Sequence, residues 1–308
     1  MKVSVIVSDV NEQGMRLACI QMLCNQHFND YEVILPDCGI FVSEDSAMIE
    51  DFQKQYSHLK VFSIAGKNRA ELINEAVKRA KGELLLFIES HCIADRNWVK
   101  DYVDLFKNKK IQAARGNVNT IPTDTWEGIA EEYMRKIIVK RIDNLGTVVS
   151  YFDFHNSAMA KKCFVELGGL SPDLPILAEF ELGARAHKGG IDIYQFDECR
   201  VWHANSTRFS KYAEVIGEQG REKALLLKKH GKEFVAKYFP APKLLGMLPF
   251  LKLFRIPLLV SVRSAMAVAT LGFYVGKLLN LRSVANFYFV MFANNSYRYG
   301  ILKGLGEV

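Results

Sequence analysis

From Phe234 to Gly306 the chain contains no Asp or Glu. Nine basic residues fall in that stretch: Lys237, Lys243, Lys252, Arg255, Arg263, Lys277, Arg282, Arg298 and Lys303. Glu307 is the first acid after it, so residues 1–233 hold 31 basic and 33 acidic side chains and are close to neutral. Such a one-sided tail favours an anionic partner, and the Leu, Phe and Val set among its charges favour lipid over nucleic acid. Long hydrophobic runs are also missing. The longest charge-free runs of the tail, Ser264–Gly276 and Ser283–Tyr297, fall short of the ~20 residues of a spanning helix. They fit helices lying in the membrane interface, a partly inserted hairpin, or a helical subdomain packed on the body. No CxxC pair occurs among Cys19, Cys24, Cys38, Cys92, Cys163 and Cys199, which argues against a zinc ribbon and a disulfide framework and points to a reducing compartment. The chain enters a strand-like run at once, with no leader pattern, so the sequons at Asn205 and Asn294 read as chance matches. No repeat or low-complexity segment is visible.

What is present is an alternation of strands and helices. Lys2–Val7 is a β-branched run suited to a buried parallel strand. A helical pattern follows, with Leu17, Ile20, Leu23 and Cys24 on one face; strands are expected at Tyr31–Leu35, Leu59–Ile64 and Glu83–Ile88. Helices are expected at Glu50–Tyr56 and Asn68–Ala80. This order predicts a doubly wound, mostly parallel α/β sheet with flanking helices. Beyond it the sequence predicts a strand near Ala113, helices at Trp126–Arg141, Ala160–Leu167 and Glu179–His187, and a strand at Ile191–Phe196. We divide the chain into residues 1–110, 111–233 and a tail of 234–308. Ligands of such sheets sit beyond the carboxyl ends of the strands. The residues there are Ser8-Asp9-Val10-Asn11, Asp37-Cys38-Gly39, Gly66-Lys67-Asn68-Arg69 and Glu89-Ser90-His91. All are polar, and Glu89 with His91 forms a carboxylate–imidazole pair that can point one way from an extended turn.

Five blocks at matching spacing over roughly residues 3–205 resemble glycosyltransferase family 2, with its GT-A fold. They are VSVIVSDVNE, LACIQMLCNQ with YEVILPDCG, NEAVKRAKGELLLFIESHCIADRNWV, NSAMAKKCFVELGGL, and AEFELGARAHKGGIDIYQFDECRVWH. FIESHC also resembles the Asp-Ser-His turn of the polypeptide N-acetylgalactosaminyltransferases. Four positions depart from the family pattern: Ser8 for Pro, Cys38 for the second acid of the nucleoside turn, Glu89-Ser90-His91 for Asp-x-Asp, and Ala178-Glu179 for Glu-Asp.

The resemblance implies a nucleotide-diphosphate sugar donor, a UDP-sugar favoured, and a saccharide or lipid-linked acceptor in envelope polysaccharide synthesis. It implies a divalent ion, Mn²⁺ or Mg²⁺, that neutralises the leaving diphosphate, held by Glu89, His91 and the later His203. Ser8, Asp9, Asn11, Asp37, Lys67 and Arg69 fall at the donor side. There Asp37 is read as accepting the uracil imide N–H or as capping a turn, and Lys67 and Arg69 as meeting diphosphate at a helix start or as solvated helix charges. Glu179 is the expected base of an inverting transfer, with Glu181 the alternative acid; both also suit the first turn of a helix. Trp98 reads as core. Trp202 is a sugar platform or a packing residue, and Arg208 with Lys211 lies on a segment able to close over the diphosphate. The QxxRW motif of processive members is missing, so single-sugar addition is expected. The localisation expected is the cytoplasmic face of the membrane, peripheral or monotopic. The competing reading is a catalytically silent nucleotide-sugar-binding module. A nucleotidyltransferase ranks last, because a glycine-rich basic loop after the first strand is lacking.

Overall fold

A computed structural model describes residues 1–7, 15–37, 43–63, 68–133, 148–149, 151–205, 209–238 and 254–307. Ser8, Asp9, Asn11, Cys38, Lys67 and Arg208 of the expected donor side lie outside the described residues. The chain divides into two compact units, Met1–Ile121 with Leu145–Ala204, and Pro122–Asn144 with Asn205–Val308.

Among the described residues the first unit is built on a nine-stranded sheet. Its strands are β1 (Val3–Val7), β2 (Tyr31–Asp37), β3 (Leu59–Ser63), β4 (Leu84–Ile88), β5 (Cys92–Ala94), β6 (Ala113–Thr120), β7 (Val148–Val149), β8 (Ser157–Ala160) and β9 (Ile193–His203). They run in the order β3-β2-β1-β4-β8-β6-β9-β5, with β7 pairing β9. The four expected strands β1–β4 are parallel, and β1 and β4 are buried along their whole length, as a sheet covered on both faces requires. Helices α1 (Arg16–Cys24), α2 (Ser43–Gln55) and α4 (Trp98–Lys109), together with α3 (Arg69–Arg79), α5 (Lys161–Glu166) and α6 (Ala178–Lys188), complete the unit. One apolar cluster joins α1 and α4 to the sheet through Leu23, Val33, Leu86, Trp98 and Tyr102. The other joins α3, α5 and α6 through Ile73, Val77, Phe87, Phe164 and Leu182.

Two antiparallel strands decide where the later residues fall. β8 runs against β4 with Phe87 opposite Ser157, so the stretch just before β8 returns to the carboxyl end of β4. β9 is longer than the sequence suggests. It continues past Phe196, through an irregularity opposite Gly116/Asn117, to His203, which lies opposite Thr120 of β6 and Cys92 of β5. The exposed Asp197, Glu198 and Arg200 break the apolar pattern, which is why the strand's second half reads as a loop.

The second unit is helical. It contains a helical stretch over 126–133, α7 (Phe209–Tyr238), α8 (Arg255–Leu278) and α9 (Arg282–Gly304). The boundary read from sequence at residue 233 falls inside α7, where Gly231 breaks the helix with a φ of 81°. The start and the middle of α7 pack with the C-terminal helices. Phe209 sits among Phe273, Phe289 and Phe292, and Ala224 meets Ile301, Leu302 and Leu305. A Cβ on Gly300 would collide with the Gly217 carbonyl, so α7 and α9 approach at backbone contact. α8 is 24 residues long and, counted across Arg263, is long and apolar enough to cross a membrane by length and composition. Its Ile256, Val260, Val268, Leu271 and Leu278 are exposed.

Candidate functional site: a histidine and carboxylate cluster at the carboxyl end of the sheet

Glu89, Ser90 and His91 leave the end of β4, and Cys92 enters β5. His91 accepts the Ala204 N–H on its carbonyl at 3.0 Å, because β5 and β9 are paired there. That pairing brings His203 to His91, with ring centroids 4.7 Å apart. Glu89, His91 and His203, expected together from sequence, are all more than nine-tenths buried.

The sequence reading missed His155. The β4–β8 register explains its position: with Phe87 opposite Ser157, two residues further along an antiparallel pair brings position 155 opposite position 89. His155 Nε2 lies 3.1 Å from Glu89 Oε2, the same oxygen that His91 Nε2 approaches at 3.1 Å. Its ring is 4.6 Å from that of His203. One ligand atom from each of the three histidines falls within 4.8 Å of the others. The FDFH run could have revealed it: Phe152 and Phe154 are core residues, so Asp153 and His155 alternate to the other side. Phe154 stacks on Phe87 of β4 at 4.1 Å. Asn156 is fully buried. Its side chain donates to the Asn117 and Cys199 carbonyls and accepts from Trp98 Nε1 and Tyr102 OH. Trp98 is thus a core support for this turn.

Asp153 holds His155. Its Oδ1 pairs with the His155 ring Nδ1 and accepts the His155 backbone N–H. Burial works against the charges here, but the carboxylates of Glu89 and Asp153 outweigh it and raise the His155 pKa to about 10. Burial likewise opposes ionisation of Asp153 and Glu89, and the positive charge of His155, with Arg115 and Arg69 respectively, carries both carboxyls below their usual range.

Arg69 opens α3, whose first turn is secured by an Asn68–Glu71 capping box. The guanidinium bridges two acids, Glu89 Oε1 at 2.7 Å and Glu179 Oε2 at 2.6 Å. Glu179 is 5% exposed. Burial raises its pKa, the repulsion of Glu89 and Asp153 adds to that, and Arg69 pulls the other way without reversing it. Glu181 is fully buried and engaged elsewhere. It accepts from Arg185 Nε at 2.9 Å, from Arg185 Nη2 at 2.7 Å and from Ser171 Oγ at 2.9 Å. Arg185 also donates to the Leu167 and Gly169 carbonyls, so Glu181 ties α6 to the Gly168-Gly169 turn.

Asp37 ends β2 beside Ser63 of β3 and is half-buried. Trp202 is half-buried on β9; alternation turns it to the strand face opposite His203, so it does not join the cluster.

The residues fit a divalent ion. Two nitrogens of a tetrahedral site, each about 2.1 Å from the ion, lie roughly 3.4 Å apart, so ring movements on the order of 1 Å would gather ligand atoms that now fall within 4.8 Å of one another. His91 Nδ1 is buried with no hydrogen-bond partner among the described residues. With His155 neutral, as a metal ligand must be, Glu89, Asp153 and Glu179 outnumber Arg69 and Arg115, leaving an excess of negative charge for a cation.

A model of the glycosyl transferase family 2 matches residues 4–168. A curated relative, the poly(ribitol-phosphate) beta-glucosyltransferase of Bacillus spizizenii, is 30% identical over 96 residues, covering 29% of this chain and only 15% of the relative's length. Among solved structures, the mannosyltransferase PcManGT of Pyrobaculum calidifontis, in complex with GDP-Man and Mn²⁺, aligns with a TM-score of 0.61 at 15% identity, over 96% of this chain and 86% of that one. S. aureus TarS 1–349 in complex with UDP aligns at 0.55 with 15% identity, over 97% and 90%. GalNAc-T7 with UDP, GalNAc and Mn²⁺ aligns at 0.53 with 16% identity, over 77% and 54%. These structures establish the GT-A type of fold.

Proposed function

Since the chain belongs to glycosyl transferase family 2, we propose that it moves a single sugar, with inversion, from a nucleotide-diphosphate donor to a saccharide or lipid-linked acceptor of the cell envelope. The observation that carries this reading is the partly buried contact chain His155–Glu89–Arg69–Glu179. It sets a candidate base and a cation site side by side at the end of the sheet where such folds bind ligands. A UDP-sugar is the favoured donor, in keeping with the UDP in two of the similar structures. Asp37 and Arg69 are the donor-side groups within the described residues.

Glu179 accepts the proton of the acceptor hydroxyl. Its burial keeps it a better base than an exposed carboxylate, and Arg69 holds it in position and ionised. Glu89, His91, His155 and His203 would hold the ion. Bound there, a divalent ion supplies Lewis-acid neutralisation of the departing diphosphate. Arg69 sits between the two regions and keeps both acids in a fixed relation.

The helical unit is proposed to bind the cytoplasmic face of an anionic membrane, peripherally or monotopically. The acid-free stretch with nine basic residues and the exposed apolar side of α8 support this. Each Lys or Arg near an anionic surface contributes roughly 1 kcal/mol, and inserted Leu and Ile add a salt-resistant part.

The test is a panel of nucleoside diphosphates and nucleotide sugars with Mn²⁺, read by thermal shift and then by turnover. A site for one base raises the melting temperature by mass action, and a donor that also turns over completes the case. Binding without turnover on any acceptor would support the silent-module reading instead, and no response to any nucleotide would end both.

A further inference from the structure

The cluster differs from a carboxylate metal turn in which atoms it leaves available. Glu89 Oε1 is occupied by Arg69 at 2.7 Å. Asp153 Oδ1 is committed to His155, and Glu179 Oε2 to Arg69. Glu89 Oε2 is the oxygen that meets both the His91 and His155 Nε2 atoms, at 3.1 Å each. Nitrogen donors gather here: ligand atoms of three imidazoles converge within 4.8 Å. His155 can ligate only through Nε2, because Asp153 holds Nδ1 from behind. That arrangement, a carboxylate on the far ring nitrogen, fixes tautomer and ring angle and makes the imidazole a stronger ligand.

We infer that this site takes a borderline first-row transition ion, Mn²⁺ through Zn²⁺, on three imidazoles and one Glu89 oxygen, and that Asp153 is the positioning residue for His155. Mg²⁺ is the ion excluded. It requires near-octahedral oxygen coordination and gives up water reluctantly, and the cluster formed by the described residues offers it three imidazoles and one Glu89 oxygen. Imidazoles suit the later first-row ions, whose affinity at a given nitrogen site rises from Mn²⁺ to a maximum at Cu²⁺ and falls at Zn²⁺, which still binds more tightly than Mn²⁺. The inference rests on the metal part of the function proposed above, and it stands or falls separately from the sugar chemistry.

The experiment uses the full chain, stripped of metal, titrated calorimetrically with MgCl₂, MnCl₂ and ZnCl₂ alone, with no nucleotide. One site is expected, with Mg²⁺ at least ~100-fold weaker than Mn²⁺ and Zn²⁺ tighter than both. Asp153→Asn keeps the stoichiometry and weakens Mn²⁺ by about 10–100-fold, the usual cost of losing an outer carboxylate; Asp153→Glu recovers part of it. His155→Ala loses more. Should that variant fail to fold, pulsed electron paramagnetic resonance of Mn²⁺ on the unaltered protein decides, since histidine ligands give nitrogen couplings and an all-oxygen site gives none. Equal affinity for Mg²⁺ and Mn²⁺, wild-type Mn²⁺ affinity in Asp153→Asn and His155→Ala, or a spectrum without nitrogen coupling overturns the inference. A protein that binds ions in the expected order yet binds no nucleotide sugar would instead contradict the transferase reading alone.

Discussion

The sheet unit and the helical unit treat charge in opposite ways. In the sheet unit, Glu89, Asp153 and Glu179 are drawn into one place and each is matched by Arg69 or His155. In the helical unit, Lys223 is buried beside the Tyr297 ring at 5.9 Å, while large aliphatic side chains of α8 stay exposed. The first pattern is expensive to assemble and serves chemistry, because buried ions persist only when paired. The second, apart from Lys223, leaves apolar surface and the positive charges of Arg263, Arg282 and Lys303 outside, which serves attachment.

Within the sheet unit, two acids of α6 two residues apart do different work. Glu179→Gln should lower transfer by ~10²–10⁴ while nucleotide binding and folding stay intact. Glu181→Gln should instead weaken the Arg185 and Ser171 contacts and cost about 1–3 kcal/mol of stability, with the remaining folded protein active. Rate and denaturant measurements on both variants check this, and a dead but stable Glu181→Gln would reverse the assignment.

Arg69→Met comes next. It leaves two buried carboxylates without their shared cation, so the sheet unit should lose roughly 3–5 kcal/mol, read by denaturant titration. Recovery by the double change Arg69→Met with Glu179→Gln is expected, since one of the orphaned charges is then gone. A loss under 1 kcal/mol would mean that Arg69 is not the counter-ion.

On the helical side, Leu271→Glu with Leu278→Glu should reduce binding to anionic vesicles more than tenfold, and high salt should weaken binding of the unaltered chain without ending it. These changes lie on exposed positions, so stability should move by less than about 0.5 kcal/mol. Unchanged vesicle binding would contradict the attachment role.

The smallest effect separates the units by pH in metal-free protein. His155 has a folded pKa raised to about 10, above its ordinary value of 6.5. Its stabilisation is full below 6.5 and is lost as pH rises through 10. Lys223 has a folded pKa lowered by burial to about 8, below its ordinary value of 10.5. Its charged form is penalised in full below 8, and the penalty is relieved as pH rises toward 10.5. Between pH 8 and 10 the sheet unit should therefore loosen and the helical unit tighten, as amide exchange in β8 and α9 would report; parallel trends would contradict the difference.

Much of this was legible from sequence where the signal is local. Apolar runs marked β1–β4, and their polar ends marked Glu89 and His91. His203 was legible through a resemblance in spacing, although the strand carrying it was not, because β9 bends through exposed residues. His155 was legible only as a residue alternating away from the core in FDFH; that it meets Glu89 was not, since this depends on an antiparallel strand returning to β4 from about seventy residues away in a register that no local pattern states. The same holds for Arg69, read as a phosphate ligand, whose two acid partners come from distant elements. The grouping of α7 with α8 and α9 was hidden because its sequence is as polar as the unit before it.

The most direct test is UDP binding by calorimetry to metal-free protein, to Mn²⁺-loaded protein and to the His91→Ala variant in the presence of Mn²⁺. The account predicts binding at least tenfold tighter with Mn²⁺ in the unaltered chain and no such gain in the variant. UDP affinity that is the same in all three would show that the histidine cluster is not a diphosphate site.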